Sequence, residues 1–126
     1  QYVMAFEDER LVLQTRCASG AGRSQTPTGR YDTYHKGPSV HMTNDGDPKK
    51  DLYDLPGVPW CSFFTGTGIA FHGTYWHNDF GKPRSHGCVN LPNSAAKFLY
   101  RWTSPNVPPE ADYIHKPNTG TRVHVS

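Results

Sequence analysis

The nineteen residues from His72 to Asn90 hold three of the chain's seven histidines, His72, His77 and His86, together with Cys88, one of its three cysteines. Packing alone does not call for that density; acyl transfer by a thiol does. A cysteine attacks as its thiolate, and a free thiol with a pKa of about 8.5 is mostly protonated at neutral pH, so a catalytic cysteine needs a histidine, a helix N-terminus or both. His72 ends a strand-like segment from which its ring would reach Cys88. Gly87, just before the thiol, gives a backbone with little steric limit, so the N–H groups of His86, Gly87 and Cys88 are expected to converge as an oxyanion hole. Cys17 and Cys61 lie in apolar stretches and read as small buried hydrophobes rather than a disulfide pair, without a catalytic role. His77 is expected to face solvent, as are His35, His41, His115 and His124.

These groups need elements to hold them. Leu91, Ala95, Phe98, Leu99 and Trp102 recur at helical spacing and predict an amphipathic helix that starts just after Cys88-Val89, capped by Asn90 or Asn93 with Pro92 in its first turn. Its positive end would then favour an anion at Cys88. Thr103-Ser104-Pro105 ends it. The other periodic segments are short and rich in β-branched and aromatic residues, which predicts strands at Tyr2 to Phe6, Arg10 to Arg16, Gly29 to His35, Val40 to Met42, Trp60 to Phe64, Gly68 to His72 and Thr121 to Val125. Glu7-Asp8-Glu9 reads as a tight hairpin turn, Thr43 to Val58 as a long surface loop containing Asp45-Gly46-Asp47-Pro48, and Asn106 to Asn118 as a meandering loop.

A chain of 126 residues with 12 glycines and 11 prolines suits one β-rich domain spanning residues 1–126. Its formal charge of +2 comes from interspersed residues of both signs, so no basic face argues for nucleic acid. No apolar run approaches the roughly 18 to 20 residues that span a bilayer.

His72, followed after a loop by Ser85-His86-Gly87-Cys88-Val89-Asn90, resembles the signature of the YkuD-type L,D-transpeptidases, and Ser19-Gly20, Thr26-Pro27-Thr28-Gly29 and Gly68-Ile69-Ala70-Phe71-His72-Gly73 extend the likeness over Tyr2 to Trp102. The resemblance implies a mainly β fold, a small sandwich or barrel-like catalytic domain with one main helix after the cysteine. It also implies an extracytoplasmic bacterial setting and peptidoglycan stem peptides as partners. In the implied reaction Cys88 attacks the carbonyl of the third stem residue, typically meso-diaminopimelate, and D-alanine leaves. An amine then resolves the thioester to a 3-3 cross-link or a protein attachment, whereas water would make the enzyme an L,D-carboxypeptidase. By the same mapping His72 is the general base, the Gly73 carbonyl orients its ring, and Ser85, His86 and Asn90 shape the pocket. Trp76, beside Tyr75, forms an aromatic lip. Carbapenem-type β-lactams are the implied covalent inhibitors, and a monomer without a cofactor is assumed.

Two rivals come from other classes. His72, His77, His86 and Cys88 offer nitrogen and sulfur donors for a zinc-dependent hydrolase, but their spacing matches no common zinc pattern and the nearest acid is Asp79 rather than a glutamate base. A non-catalytic wall-binding module would keep the aromatic cleft of Tyr75, Trp76 and Phe80 yet have no need of an activated thiol.

Overall fold

An apolar run, Tyr2 to Phe6, and a second around Leu11-Val12-Leu13 build the first hairpin. A computed structural model describes residues 1–43, 54–85, 87–118 and 120–126, and in it β1 (Tyr2–Glu7) pairs antiparallel with β2 (Arg10–Arg16). Asp8 and Glu9 at the turn both have positive φ, 48° and 68°, the backbone of a two-residue hairpin turn whose twist matches its strands. Ala5 turns into the core with Val3 packed beside it, while Tyr2, Met4 and Phe6 lie on the outer face.

The expected strand Gly29 to His35 is two strands in two sheets. β3 (Gly29–Asp32) pairs with β9 (Arg122–Val125), whereas β4 (His35–Thr43) joins a five-stranded sheet. The switch falls at Thr33, whose amide donates to Thr121 O at 2.9 Å, and at Tyr34, whose amide donates to Phe63 O at 3.1 Å. The large sheet is completed by β5 (Asp54–Phe63), β6 (Ala70–Gly73), β7 (Val89–Leu91) and β8 (Ile114–His115), in the order β7-β6-β5-β4-β8.

Two loop expectations are corrected here. The last part of the Thr43 to Val58 segment is strand, with Asp54 opposite Thr43, Leu55 opposite Met42 and Val58 opposite Val40. A register shift between Val40 and Met42, and Gly57 at φ +63°, let the ladder accommodate Pro56 and Pro59, the residues that disguise it as a loop. Its Asp45-Gly46-Asp47-Pro48 turn lies outside the described residues. Within Asn106 to Asn118, Ile114–His115 forms a short edge strand on β4.

The helix α1 (Asn93–Trp102) packs on β5 and β6. It begins later than the sequence pattern predicts because Val89-Asn90-Leu91 is strand β7, parallel to β6. Neither asparagine caps it: Asn90 lies on β7, and Asn93 Oδ1 accepts the Thr74 amide at 2.9 Å. The buried stripe is Ala95, Ala96, Leu99 and Tyr100, while Phe98 lies on the outer face, its ring stacked on Trp102. At the other end Thr103 Oγ1 donates to Leu99 O at 2.7 Å. The fully buried Lys36 ammonium donates to Tyr100 O and, at 2.8 Å, to Thr103 O, a cation on the negative end of the helix. Burial lowers its pKa to about 8.

The core gathers Ala5, Cys17, Phe64, Phe71, Val89, Leu91, Ala95, Ala96, Leu99 and Val123 from both small sheets, the large sheet and the helix. Among the described residues the fold is therefore mainly β and sandwich-like, with one α-helix and with sheets that do not close into a barrel. Cys17, Cys61 and Cys88 are all free thiols.

Candidate active site

The parallel pair β6–β7 sets the frame. His72 stands opposite Asn90 and Phe71 opposite Val89, so Cys88, one residue before β7, lies level with Ala70. Side chains alternate along strands, which puts Cys88 and Asn90 on the sheet face that carries Ala70 and His72. All four β6 residues are buried, and His72 is only 2% exposed.

Two glycines are required here by space and by backbone. A Cβ on Gly73 would stand 2.4 Å from Asn93 Oδ1 and 2.9 Å from Pro59 Cγ. That close approach leaves the Gly73 carbonyl 2.7 Å from His72 Nδ1. A carbonyl only accepts, so Nδ1 carries the proton and Nε2 keeps its lone pair. Gly87 has φ +126°, a conformation open to glycine and strained for other residues.

The loop before the thiol is clasped by its own side chains. Ser85 Oγ accepts the Gly87 amide at 3.1 Å and donates to Cys88 O, so both capacities of the hydroxyl are used inside the loop. Thr26 Oγ1 accepts the Gly20 amide at 3.0 Å and donates to Gly87 O at 2.6 Å. The turn at Thr26, which the sequence offers only as part of the family likeness, thus anchors the cysteine loop directly. The Gly87 N–H is committed to Ser85, so it is not one of three convergent free donors as expected. His86 lies outside the described residues.

Cys88 is half-buried, with its Sγ 3.7 Å from Gly68 O. The helix terminus that was expected to activate it starts beyond β7, at Asn93. Burial pushes the Cys88 thiol up to about 11, with the Ala70 amide pulling the other way. Burial pushes His72 down to about 4; the Gly73 carbonyl opposes that shift and His77 adds to it. Both groups are neutral at neutral pH, where the sequence reading expects a thiol more acidic than a free one. Cys61, fully buried on β5, is raised by burial and then by its neighbour Cys88.

Aromatic rings line the approach. The Trp76 ring sits 5.7 Å from that of His72, and Tyr75 meets Trp76 edge-on at 4.8 Å while its hydroxyl donates to Pro56 O at 2.7 Å.

His77 does not stand free in solvent. It is half-buried, with Nε2 2.9 Å from the Asn90 side-chain amide and Nδ1 accepting the Asp79 amide at 3.0 Å. Its isolated position in an irregular loop gave no signal of this, because the contact is made across thirteen residues by the turn of the chain. Among the described residues no group of three His, Cys, Asp or Glu side chains is placed to hold a metal ion.

A family model for the L,D-transpeptidase catalytic domain, YkuD, matches residues 1–125. No curated protein matches the chain by sequence. An L,D-transpeptidase structure from Mycobacterium smegmatis is 24% identical, covering 90% of this chain and 52% of that one at a TM-score of 0.71. An LD transpeptidase solved in complex with imipenem is 22% identical, covering 79% and 48% at a TM-score of 0.72. The catalytic domain from the E. faecium L,D-transpeptidase is 27% identical, covering 79% and 80% at a TM-score of 0.69. The first two likenesses concern the fold, and the chain spans about half the length of each of those proteins.

Proposed function

Since the chain belongs to the YkuD family of L,D-transpeptidase catalytic domains, we propose that residues 1–126 form one such catalytic domain, acting outside the cytoplasm of a bacterium on peptidoglycan stem peptides, with Cys88 as nucleophile. The observation that carries this reading is the tautomer of His72. With Nδ1–H held by Gly73 O, the lone pair on Nε2 belongs to the sheet face that carries Cys88.

The neutral pair defines the order of proton movements. Cys88 stays a thiol at rest, and His72 Nε2 takes its proton as sulfur attacks the acyl carbon. In this reading the Cys88 amide donates to the oxygen on which charge develops, since the Gly87 amide is already engaged. The imidazolium then protonates the departing amine, D-alanine leaves, and a thioester remains on Cys88. In the second step His72 deprotonates the incoming amine, which forms a new amide and frees the thiol. The buried Gly73 carbonyl keeps the ring in place through both transfers, and Trp76 and Tyr75 shelter the acyl chain. Carbapenem-type β-lactams fit the same chemistry, with a strained acyl carbon in place of the peptide.

The test is incubation of the protein with a disaccharide-tetrapeptide, with and without a second stem as acceptor, and product masses. Release of D-alanine with a cross-linked product supports transpeptidation. Release with a tripeptide alone assigns water as acceptor, and an unchanged substrate refutes the reading.

A further inference from the structure

Neutral imidazole has one N–H and one acceptor nitrogen. His77 Nδ1 accepts the Asp79 amide at 3.0 Å, so its proton is on Nε2, which therefore donates. Burial lowers the His77 pKa, and the Arg84 charge lowers it further, in keeping with a neutral ring. The group that faces Nε2 at 2.9 Å on Asn90 must then be the amide oxygen, since an NH2 there would set donor against donor. The other end of the Asn90 amide is then its NH2. That end is buried without a hydrogen-bond partner, in a residue 2% exposed on the sheet face of His72 and Cys88. An unmet buried donor at such a place is explained by a ligand that meets it.

We propose that His77 is a positioning residue of this site: its Nε2–H fixes the Asn90 side chain with the NH2 turned inward, as a donor reserved for the acyl segment of the substrate. The proposal rests on the acyl-transfer reading above. The loop that holds His77 is itself tied down, with Asp79 paired to Arg84 and the His77 ring packed 5.6 Å from that of Phe80. Asn90 is fixed by its backbone, which exchanges hydrogen bonds of 2.8 and 2.9 Å with Ala18. With the backbone pinned, the freedom left to Asn90 is rotation of its amide, and His77 removes it.

Two measurements test the lock. Nitrogen NMR of the His77 ring at neutral pH should show the Nε2–H tautomer; the Nδ1–H tautomer, or rapid averaging of the two, overturns the proposal whatever the activity. In turnover of a tetrapeptide, His77→Phe keeps the ring but removes the donor, and should lower kcat about tenfold with KM changed by less than about threefold. His77→Gln restores an N–H near the same point and should recover most of kcat at an unchanged melting temperature. If His77 acts through Asn90, adding His77→Phe to Asn90→Ala should cost nothing further. Costs that multiply, or a His77→Phe enzyme at wild-type rate, overturn the proposal. A wild-type protein that neither releases D-alanine nor acylates refutes the acyl-transfer reading instead, and the tautomer still decides the lock.

Discussion

Replacing His72 by Gln keeps a donor for the Gly73 carbonyl and removes the base. Burial holds the Cys88 thiol at about 11, so near pH 7 about one molecule in ten thousand carries a thiolate. On the proposed mechanism the wild type escapes that limit, because His72, held near 4, would be an unprotonated base throughout the neutral range. His72→Gln has only the thiolate route. It should acylate about a hundred- to ten-thousand-fold more slowly, and its rate should climb about tenfold per pH unit toward the thiol pKa. The wild-type rate should instead stay level through neutrality and fall only as pH drops toward about 4, where the ring protonates. Imipenem adduct formation followed by intact-protein mass across pH gives both profiles. A His72→Gln rate within about threefold of wild type, or a wild-type acid limb near the ordinary histidine value, would refute the neutral-pair mechanism.

Cys88→Ala should abolish D-alanine release and imipenem adducts with the melting temperature retained, while Cys17→Ala stays active; peptide mapping that finds the adduct elsewhere contradicts the choice of nucleophile. The depressed His72 pKa means the unfolded chain binds the extra proton first. Stability present above about pH 6.5 should therefore be lost by about 3 kcal/mol as pH falls to about 4, and denaturant titrations of the wild type and His72→Gln should differ by that amount. Leu91, fully buried at the end of β7 under the helix, should cost about 2 to 5 kcal/mol as Leu91→Ala, read from the denaturation midpoint. EDTA should leave turnover unchanged, and loss of activity restored by zinc would favour a metal mechanism.

The sequence by itself determined the family and the class of fold. The motif between His72 and Asn90 points to the family, and short β-branched runs broken by turns specify a mainly β domain, because residue type and periodicity are local properties of the chain. Its family signature led to the same conclusion as the match over residues 1–125. What depends on distant partners was not legible. Asn90-Leu91 looks like the start of a helix and becomes strand together with Val89 because β6 and Ala18 offer backbone partners. Asp54 to Val58 looks like loop and becomes strand because β4 lies alongside it. Only the folded molecule decided the state of the thiol, since burial is collective: the helix end that would have favoured a thiolate lies beyond β7, and desolvation leaves Cys88 and His72 both neutral. Only it brought His77 onto Asn90, a contact set by how the loop from Thr74 to Arg84 folds back over the sheet rather than by any spacing along the chain.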